Sequence, residues 1–566
     1  MNSLALIILA FSGFLAAYHT YGKFLARRIF RVDVNAVCPS YALQDNIDFV
    51  PTKKSVLFGH HFTSIAGLGP IVGPAIGVIW GWVPALAWVF LGSILMGAVH
   101  DFGALILSLR AQGRSLGDIT ATLINHRVRT LFLIIIFFGI WIVIAVFALI
   151  IAILFTMYPE SVLPVWLQIP IALCTGHLIY KKGKNPLWVG IAATAVMYIT
   201  IVLGAYLPIK LISFFGLNPL ALWIIALLVY VYIASTLPVQ KLLQPRDFIN
   251  SFQLLIAMLL LTLGIFVTRP KIIAPAINLS PLGAPPMFPF IFIIIACGAI
   301  SGFHCLVSSG TSSKQCDTES NALCIGYGSM LLEGALACLV IVAVCAGLGL
   351  GLTTKNGQTL TGAAAFAYNY SSWTQASGLQ AKLGSFITGA ANVINPLGIP
   401  QRVTIALMGV FLVSFAATTL DTSTRIQRYV ISELACAWKI KLLTKKHPAT
   451  IVAVLSAFIL AFSNGNGNGA LSLWPLFGTV NQLLAALALL VISIYLIKKR
   501  VTPFYTAIPM FIMLFVTGWA MLLNLKTFYA QKDWLLFCIS ISVFGLEIWM
   551  VIESAFVLKI LFKRKR

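Results

Sequence analysis

Two stretches of this sequence, Leu131–Phe155 and Ser251–Val267, carry no charged residue and are long enough to cross a bilayer. In hydrocarbon a chain must satisfy its own backbone, so such runs can only be helices packed in a membrane or strands of a closed barrel. Their length selects helices. The rest of the chain follows suit: 60% of the 566 residues are hydrophobic and 9% are charged, against about 25% charged in a soluble domain. A soluble enzyme, a secreted disulfide scaffold and a nucleic-acid-binding domain are excluded. The sequence predicts an all-α polytopic membrane protein.

Fifteen spans are predicted, at about 2–22, 56–80, 83–109, 130–156, 161–180, 186–207, 219–238, 248–268, 289–313, 321–350, 400–423, 449–463, 474–497, 503–523 and 534–559. The start lacks a basic region before its apolar run and reads as the first helix, not a cleaved leader. The segment 361–381 is too polar to span and reads as an amphipathic surface segment. With the N-terminus outside and the C-terminus inside, 30 of the 38 Lys and Arg fall on the cytoplasmic side. The exceptions are Lys210, Arg269, Lys271, Lys355, Lys382, Arg402, Lys526 and Lys532. The net charge of +23 is thus a topological signal, not a nucleic-acid footprint. The ten cysteines lie mostly in apolar runs, without CxxC or HExxH spacing, and read as small buried hydrophobes.

The second span reads FGHHFTSIAGLGPIVGPAIG from Phe58 and the ninth reads ISGFHCLVSSGTSSKQ from Ile300. An offset of 243 residues pairs Gly59 with Gly302, His61 with His304 and Gly67 with Gly310. The charge-derived topology runs these segments in opposite directions. Two opposed, Gly-rich, interrupted helices are the signature of an inverted-repeat transporter. The breaks are expected at 67–70 and at 308–313, where free amides, carbonyls and hydroxyls could bind solute or cation. The chain then divides into an extra N-terminal helix and loop (1–55), a first five-helix repeat (56–210), two inserted helices with an external loop (211–288), a second repeat (289–497) and two C-terminal helices with a basic tail (498–566).

This pattern resembles the 5+5 inverted repeat of the amino acid–polyamine–organocation superfamily, with broken first and sixth core helices. The motifs FGHHFTSIAGLGPIVGP (58–74), GAVHDF (97–102), SSGTSSKQ (308–315), TTLDTSTR (418–425) and WPLFGTVNQLLA (474–485) resemble the signature segments of the carbon starvation protein A family. That resemblance implies a transporter of the bacterial inner membrane, taking up short peptides or, with protons, pyruvate. In the superfamily the helix corresponding to 400–423 faces the first broken helix, and its hydroxyls help hold sodium. The matching cage here would be Thr418 or Thr419 with Thr422, opposite carbonyls near Thr63–Ala66.

Ionisable residues in a span cost several kcal/mol and mark function or pairing. Asp101, with His100, and Glu333 lie within spans; Asp421 lies near the cytoplasmic end of the eleventh. His60 and His61 precede the first break and His304 the second. Substrate contacts are assigned to His61, Gly67, Gly69, His304, Ser308, Ser309, Gly310 and Thr311. Ion coupling is assigned to Asp101, Glu333, Thr418, Thr419, Asp421 and Thr422. Protons are preferred to sodium because of the number of titratable groups. A transition metal is set aside, since no thiolate or close carboxylate shares a segment with the histidines. Asp421 has an alternative as a salt bridge to Arg425, Asn481 and Gln482 as cross-helix bonds, and Glu547 and Glu553 as packing or dimer contacts. No Arg is expected mid-span. A channel, a nutrient sensor and an intramembrane enzyme are the rivals; opposed broken helices favour alternating access over the first. No soluble output domain supports the second, and no nucleophile motif supports the third. Lipid and a small solute are the expected partners, with a homodimer left open and no resident cofactor.

Overall fold

A computed structural model describes residues 2–214, 216–354 and 356–563. Lys355 and the last three residues of the basic tail, both used in the charge count, lie outside the described residues. Among the described residues, thirteen helices are long and apolar enough to cross a membrane. The only strands described are a two-residue pair, Leu352–Thr353 with Thr359–Leu360. Local sequence explains where several helices begin. Asn125, Asn185 and Asn218 cap the helices His126–Met157, Pro186–Tyr206 and Pro219–Thr236 by accepting a backbone N–H two or three residues on. Two of these helices start with Pro, whose missing N–H costs nothing at that position.

Two predicted spans take another form. The 449–463 segment is the helix Lys446–Ala461, only 16 residues long. The 289–313 segment is two short helices, Met287–Ile294 and Gly302–Gly310, separated by an irregular stretch at 295–301. The polar segment near 361–381 forms the short helices Gly362–Tyr370 and Trp373–Ser377. A further helix that the sequence reading missed, Leu379–Ile394, follows it. Leu383, Phe386, Ile387, Ala390 and Val393 bury one face of it, which packs on the helices Leu243–Thr268, Ser329–Cys345 and Gln401–Ala437. Its polar first turn and short length hid it from a hydropathy reading.

Loop contacts sort the connections onto two sides. The Ser3 hydroxyl donates to the Pro270 carbonyl, Asn278 N–H to the Trp80 carbonyl and Ile209 N–H to the Pro159 carbonyl. On the opposite side Thr52 N–H donates to Gln315, Val239 N–H to Ile47, and Lys498 reaches the Thr122 carbonyl. The helices at 54–66 and 302–310 therefore run in opposite directions, as their charge-derived topology predicts.

On the second side, residues 45–49 form a tight turn in which the Asp45 carboxylate accepts the N–H groups of Ile47, Asp48 and Phe49. The turn presents Asp48 to Arg425 at 2.7 Å, Arg428 at 3.3 Å and the Tyr429 hydroxyl at 2.6 Å. Lys314 stacks on the Tyr429 ring, 3.8 Å from its centroid. Burial pushes the Asp48 carboxyl up, but Arg425, Arg428, Lys314 and the Tyr429 hydroxyl outweigh it and hold it at about 2. A carboxyl lowered from 3.8 on folding stabilises by about 2 kcal/mol at neutral pH. That contribution fades as pH drops below the unfolded value and is gone below the folded one. Asp48→Asn is thus expected to melt earlier than the parent at pH 7, with the gap narrowing by pH 3; a gap that widens on acidification contradicts the assignment.

A second test concerns packing. A Cβ at Gly302 would collide with the Asn481 carbonyl and the Leu484 side chain, whereas one at Gly310 meets Ile426 at an ordinary 3.4 Å. Gly302→Val is expected to cost about 1–3 kcal/mol. Gly310→Ala should be neutral or stabilise by up to about 1 kcal/mol. Thermal unfolding in detergent reads both.

Candidate functional site

The first interruption falls where the glycines predict it. The helix Lys54–Ala66 ends at Gly67, whose φ and ψ of 11° and −148° leave the helical region, and the half-helix Gly69–Gly77 starts without a side-chain cap. The second interruption is displaced from its predicted place. Residues 308–310 remain helical, and the extended break lies upstream at 295–301, with Gly298 at φ +87°. The reason is local: Ser309, Thr311 and Ser313 donate their hydroxyls to the carbonyls four residues back, at 2.8, 3.1 and 3.0 Å, and so bond within the turn. The 243-residue offset consequently does not superimpose the two interruptions.

The breaks meet each other. A Cβ at Gly69 would strike Cys297, and one at Gly73 would strike the backbone of Ile294 and Ile295. Side chains from three other helices hold the second break. Trp88 donates to the Ile295 carbonyl at 2.9 Å, and Glu333 Oε1 accepts the Gly298 N–H at 2.8 Å. Asn481 Oδ1 accepts the Phe303 N–H at 2.9 Å, and Gln482 donates to the Phe292 carbonyl at 2.7 Å. Asn481 and Gln482 thus serve both ends of one interruption.

Around this crossing lies a first buried cluster. Asp101 Oδ1 is 2.7 Å from His100 Nδ1 and its Oδ2 is 3.0 Å from His304 Nδ1. His304 Nε2 is 3.4 Å from Glu333 Oε2. His61 Nδ1 lies 2.8 Å from the Ser312 hydroxyl, and its ring is in electrostatic reach of Asp101 and His304. The Nε2 atoms of His61, His100 and His304, Glu333 Oε2 and Ser308 Oγ are buried without a hydrogen-bond partner among the described residues. Asp101, Glu333 and His304 are therefore brought together, with His61 in electrostatic reach of them, whereas Ser308 is buried with its hydroxyl unpartnered. Ser309 and Thr311 are engaged elsewhere: Ser309 Oγ accepts the Leu116 N–H at 3.2 Å, and the Thr311 carbonyl accepts from Gln315.

A second cluster surrounds Asp421. Its predicted alternative partner, Arg425, pairs with Asp48, and the partner of Asp421 is Arg246, at 2.6 Å. Tyr230 joins them, donating to Asp421 at 2.9 Å and accepting from Arg246 at 2.6 Å. Arg246 also donates to Thr418 at 3.2 Å, as does Asn250 at 2.9 Å. Next to Arg246, Asp247 accepts from His60 Nδ1 at 2.6 Å and from Ser64 at 3.4 Å. Ser64 and Thr422 hydroxyls are 3.3 Å apart, and Thr419 packs against Gly67. Thr63 donates to the Gly59 carbonyl at 2.8 Å, and Ala66 ends the first half-helix at the break.

Arg246 and Asp247 lie in the first turn of the eighth span, ahead of its predicted boundary and not mid-span. The helix is Leu243–Thr268, not 248–268, and both residues are buried. The sequence signal was there: Arg246, Asn250 and Gln253 recur at i, i+4 and i+7, a polar stripe on an otherwise apolar helix. Glu553 accepts from Asn125 at 2.9 Å within the chain, and Glu547 is buried.

The sequence matches the family model described as Carbon starvation protein CstA over residues 2–520. It is 31% identical to the peptide transporter CstA of Campylobacter jejuni, covering 88% of this chain and 76% of that one. It is equally 31% identical to the pyruvate/proton symporter BtsT of Escherichia coli, over 94% and 83%. Among solved structures, a manganese transporter of Eremococcus coleocola aligns at a TM-score of 0.47 and 13% identity, over 91% of this chain and 99% of that one, too loosely to carry helix correspondence or cargo. The family match spans nearly the whole chain. This multi-pass protein of the bacterial inner membrane belongs to the carbon starvation protein A family of transporters, and it is not an enzyme.

Proposed function

We propose that this chain imports short peptides or small carboxylates such as pyruvate, coupled to protons, by alternating access between two five-helix repeats. The repeats are 56–210 and 289–497, flanked by the extra helix of 1–55, the inserted 211–288 and the C-terminal 498–566. Fifteen spans result when the broken 289–313 segment and the helix Lys446–Ala461 are added to the thirteen long helices, with the N-terminus outside. Relatives named as peptide transporters and as a pyruvate/proton symporter support the cargo classes. The solute would sit at the crossing of the breaks, near Gly67, Gly69, His61, His304 and Ser308. The uncapped N-terminus of the Gly69–Gly77 half-helix would face its carboxylate.

One observation carries the proton reading. His100, Asp101, His304 and Glu333 form a continuous buried chain of titratable side chains with no Lys or Arg paired to it among the described residues. Its charge balance rests on protons. The rival sodium cage includes the close pair Ser64 and Thr422, yet the Arg246 guanidinium already donates to Thr418. A resident cation at one wall of the cage opposes a second.

The test is uptake of pyruvate and of di- and tripeptides into proteoliposomes. Uptake is expected without sodium, driven by an inward pH gradient and collapsed by a protonophore. Glu333→Gln and Asp101→Asn should abolish concentrative uptake while solute exchange persists. Strict dependence on a sodium gradient, with indifference to pH, would overturn proton coupling and return the role to Thr418 and Thr422.

A further inference from the structure

The thiol and carboxylate whose absence from the histidine segments sets a metal aside in the linear sequence are supplied by the fold. Cys297 comes from the second break, His304 from the helix after it and Glu333 from the neighbouring helix Ser329–Cys345. The thiol, imidazole and carboxylate ligand atoms all lie within 4.8 Å of one another. Tetrahedral zinc, with bonds of about 2.0–2.3 Å, sets neighbouring ligand atoms roughly 3.3–3.8 Å apart. His304 Nε2 and Glu333 Oε2, at 3.4 Å, already have that spacing. The widest pair has at most about 1.5 Å to close.

The surrounding groups orient these ligands. Asp101 accepts from His304 Nδ1 at 3.0 Å, which places the ring's lone pair on Nε2, toward Glu333. His100 holds the other Asp101 oxygen at 2.7 Å. Glu333 keeps one oxygen on the Gly298 amide and turns the other toward His304 Nε2. His304 Nε2 and Glu333 Oε2 are both fully buried and have no hydrogen-bond partner among the described residues. Cys297 is half-buried and sits beside Gly69, where the absence of a side chain leaves it room. Two carboxylates and a thiol surround one imidazole, a donor set that favours a divalent cation of borderline softness.

We propose that Cys297, His304 and Glu333 form a binding site for a zinc-like divalent cation, with Asp101 orienting His304 and water in the fourth position. Binding exchanges the Cys297 S–H bond, and the Nε2–H bond of His304 where the ring is protonated, for bonds to the metal and releases those protons, so affinity rises with pH. The bound ion ties the second break and the half-helix after it to the helix that carries Glu333. It therefore arrests the movement of that break and inhibits transport.

The experiment uses the purified full chain in detergent with Zn²⁺ alone, and Co²⁺ as a spectroscopic substitute. One Zn²⁺ per chain is expected at this site, and the Co²⁺ form should show a thiolate-to-metal charge-transfer band. Cys297→Ser and Glu333→Gln should lose the site, and Asp101→Asn should weaken it about ten- to a hundredfold. Site-resolved alkylation guards against a variant that fails to fold. In the unmodified protein Zn²⁺ should protect Cys297 while Cys436, exposed at the end of its helix, reacts as before. Zn²⁺ should also slow uptake by the parent but not by Cys297→Ser. Cobalt binding without a thiolate band, or equal Cys297 alkylation with and without Zn²⁺, would overturn the site whether or not the protein proves proton-coupled.

Discussion

A peptide group left unpaired in hydrocarbon costs several kcal/mol, and the interruption at 295–301 exposes a run of them. The structure meets that cost with side chains from elsewhere: Trp88, Glu333, Asn481 and Gln482 each take one backbone group of the break or its flanking half-helices. This requirement explains why a Glu and an Asn-Gln pair sit inside apolar helices at all. It also joins three helices to the break, so the interrupted segment cannot rearrange without changing partners on each. Glu333 is the pivotal member, with one oxygen on the Gly298 amide and the other facing His304.

Buried charge divides into two kinds of site. Around Asp421, the guanidinium of Arg246 supplies a permanent positive charge and Tyr230 completes the hydrogen bonding. Arg does not deprotonate in proteins, so this cluster has a fixed cation. Removing one member of such a buried pair typically costs about 3–5 kcal/mol, because the other charge is stranded. Around Asp101 there is no such cation among the described residues; His100 and His304 are the groups that can neutralise Asp101 and Glu333. The first cluster is built to stay as it is. The second balances its carboxylates with imidazoles alone among the described residues.

How much of this was legible in the sequence depends on the range of the interaction. The long spans, the break at Gly67 and the opposed directions of the two segments follow from apolar runs, glycine chemistry and loop charge, all of them local signals. The second break was misplaced because a Ser/Thr run reads as polar and irregular, whereas each hydroxyl can bond to its own helix four residues back. Arg425 stands as the alternative partner of Asp421 because the two are four apart on one helix; its partner in the fold, Arg246, is 175 positions away in the chain, and proximity of that kind is set by packing. Arg246 and Asp247 were lost to a helix boundary drawn five residues late, at the point where a polar stripe looked like loop. Cys297 escaped notice because a lone cysteine in an apolar run carries no ligand signal until Glu333 and His304 are beside it.

The contacts also differ in how readily they can be exchanged for water. Between the two breaks the contacts are close and apolar, made possible by Gly69 and Gly73 against Cys297, Ile294 and Ile295; opening them would leave voids and bare backbone. On the side where the basic loops gather, closure rests on Asp48 with Arg425, Arg428 and Tyr429, and on Arg110 with Glu319. These are polar groups that water can solvate once they part. Parting the polar face therefore costs less than parting the backbone contacts between the breaks. The Asp48 side of these pairs is itself fixed locally, by the three N–H groups that Asp45 accepts within the turn.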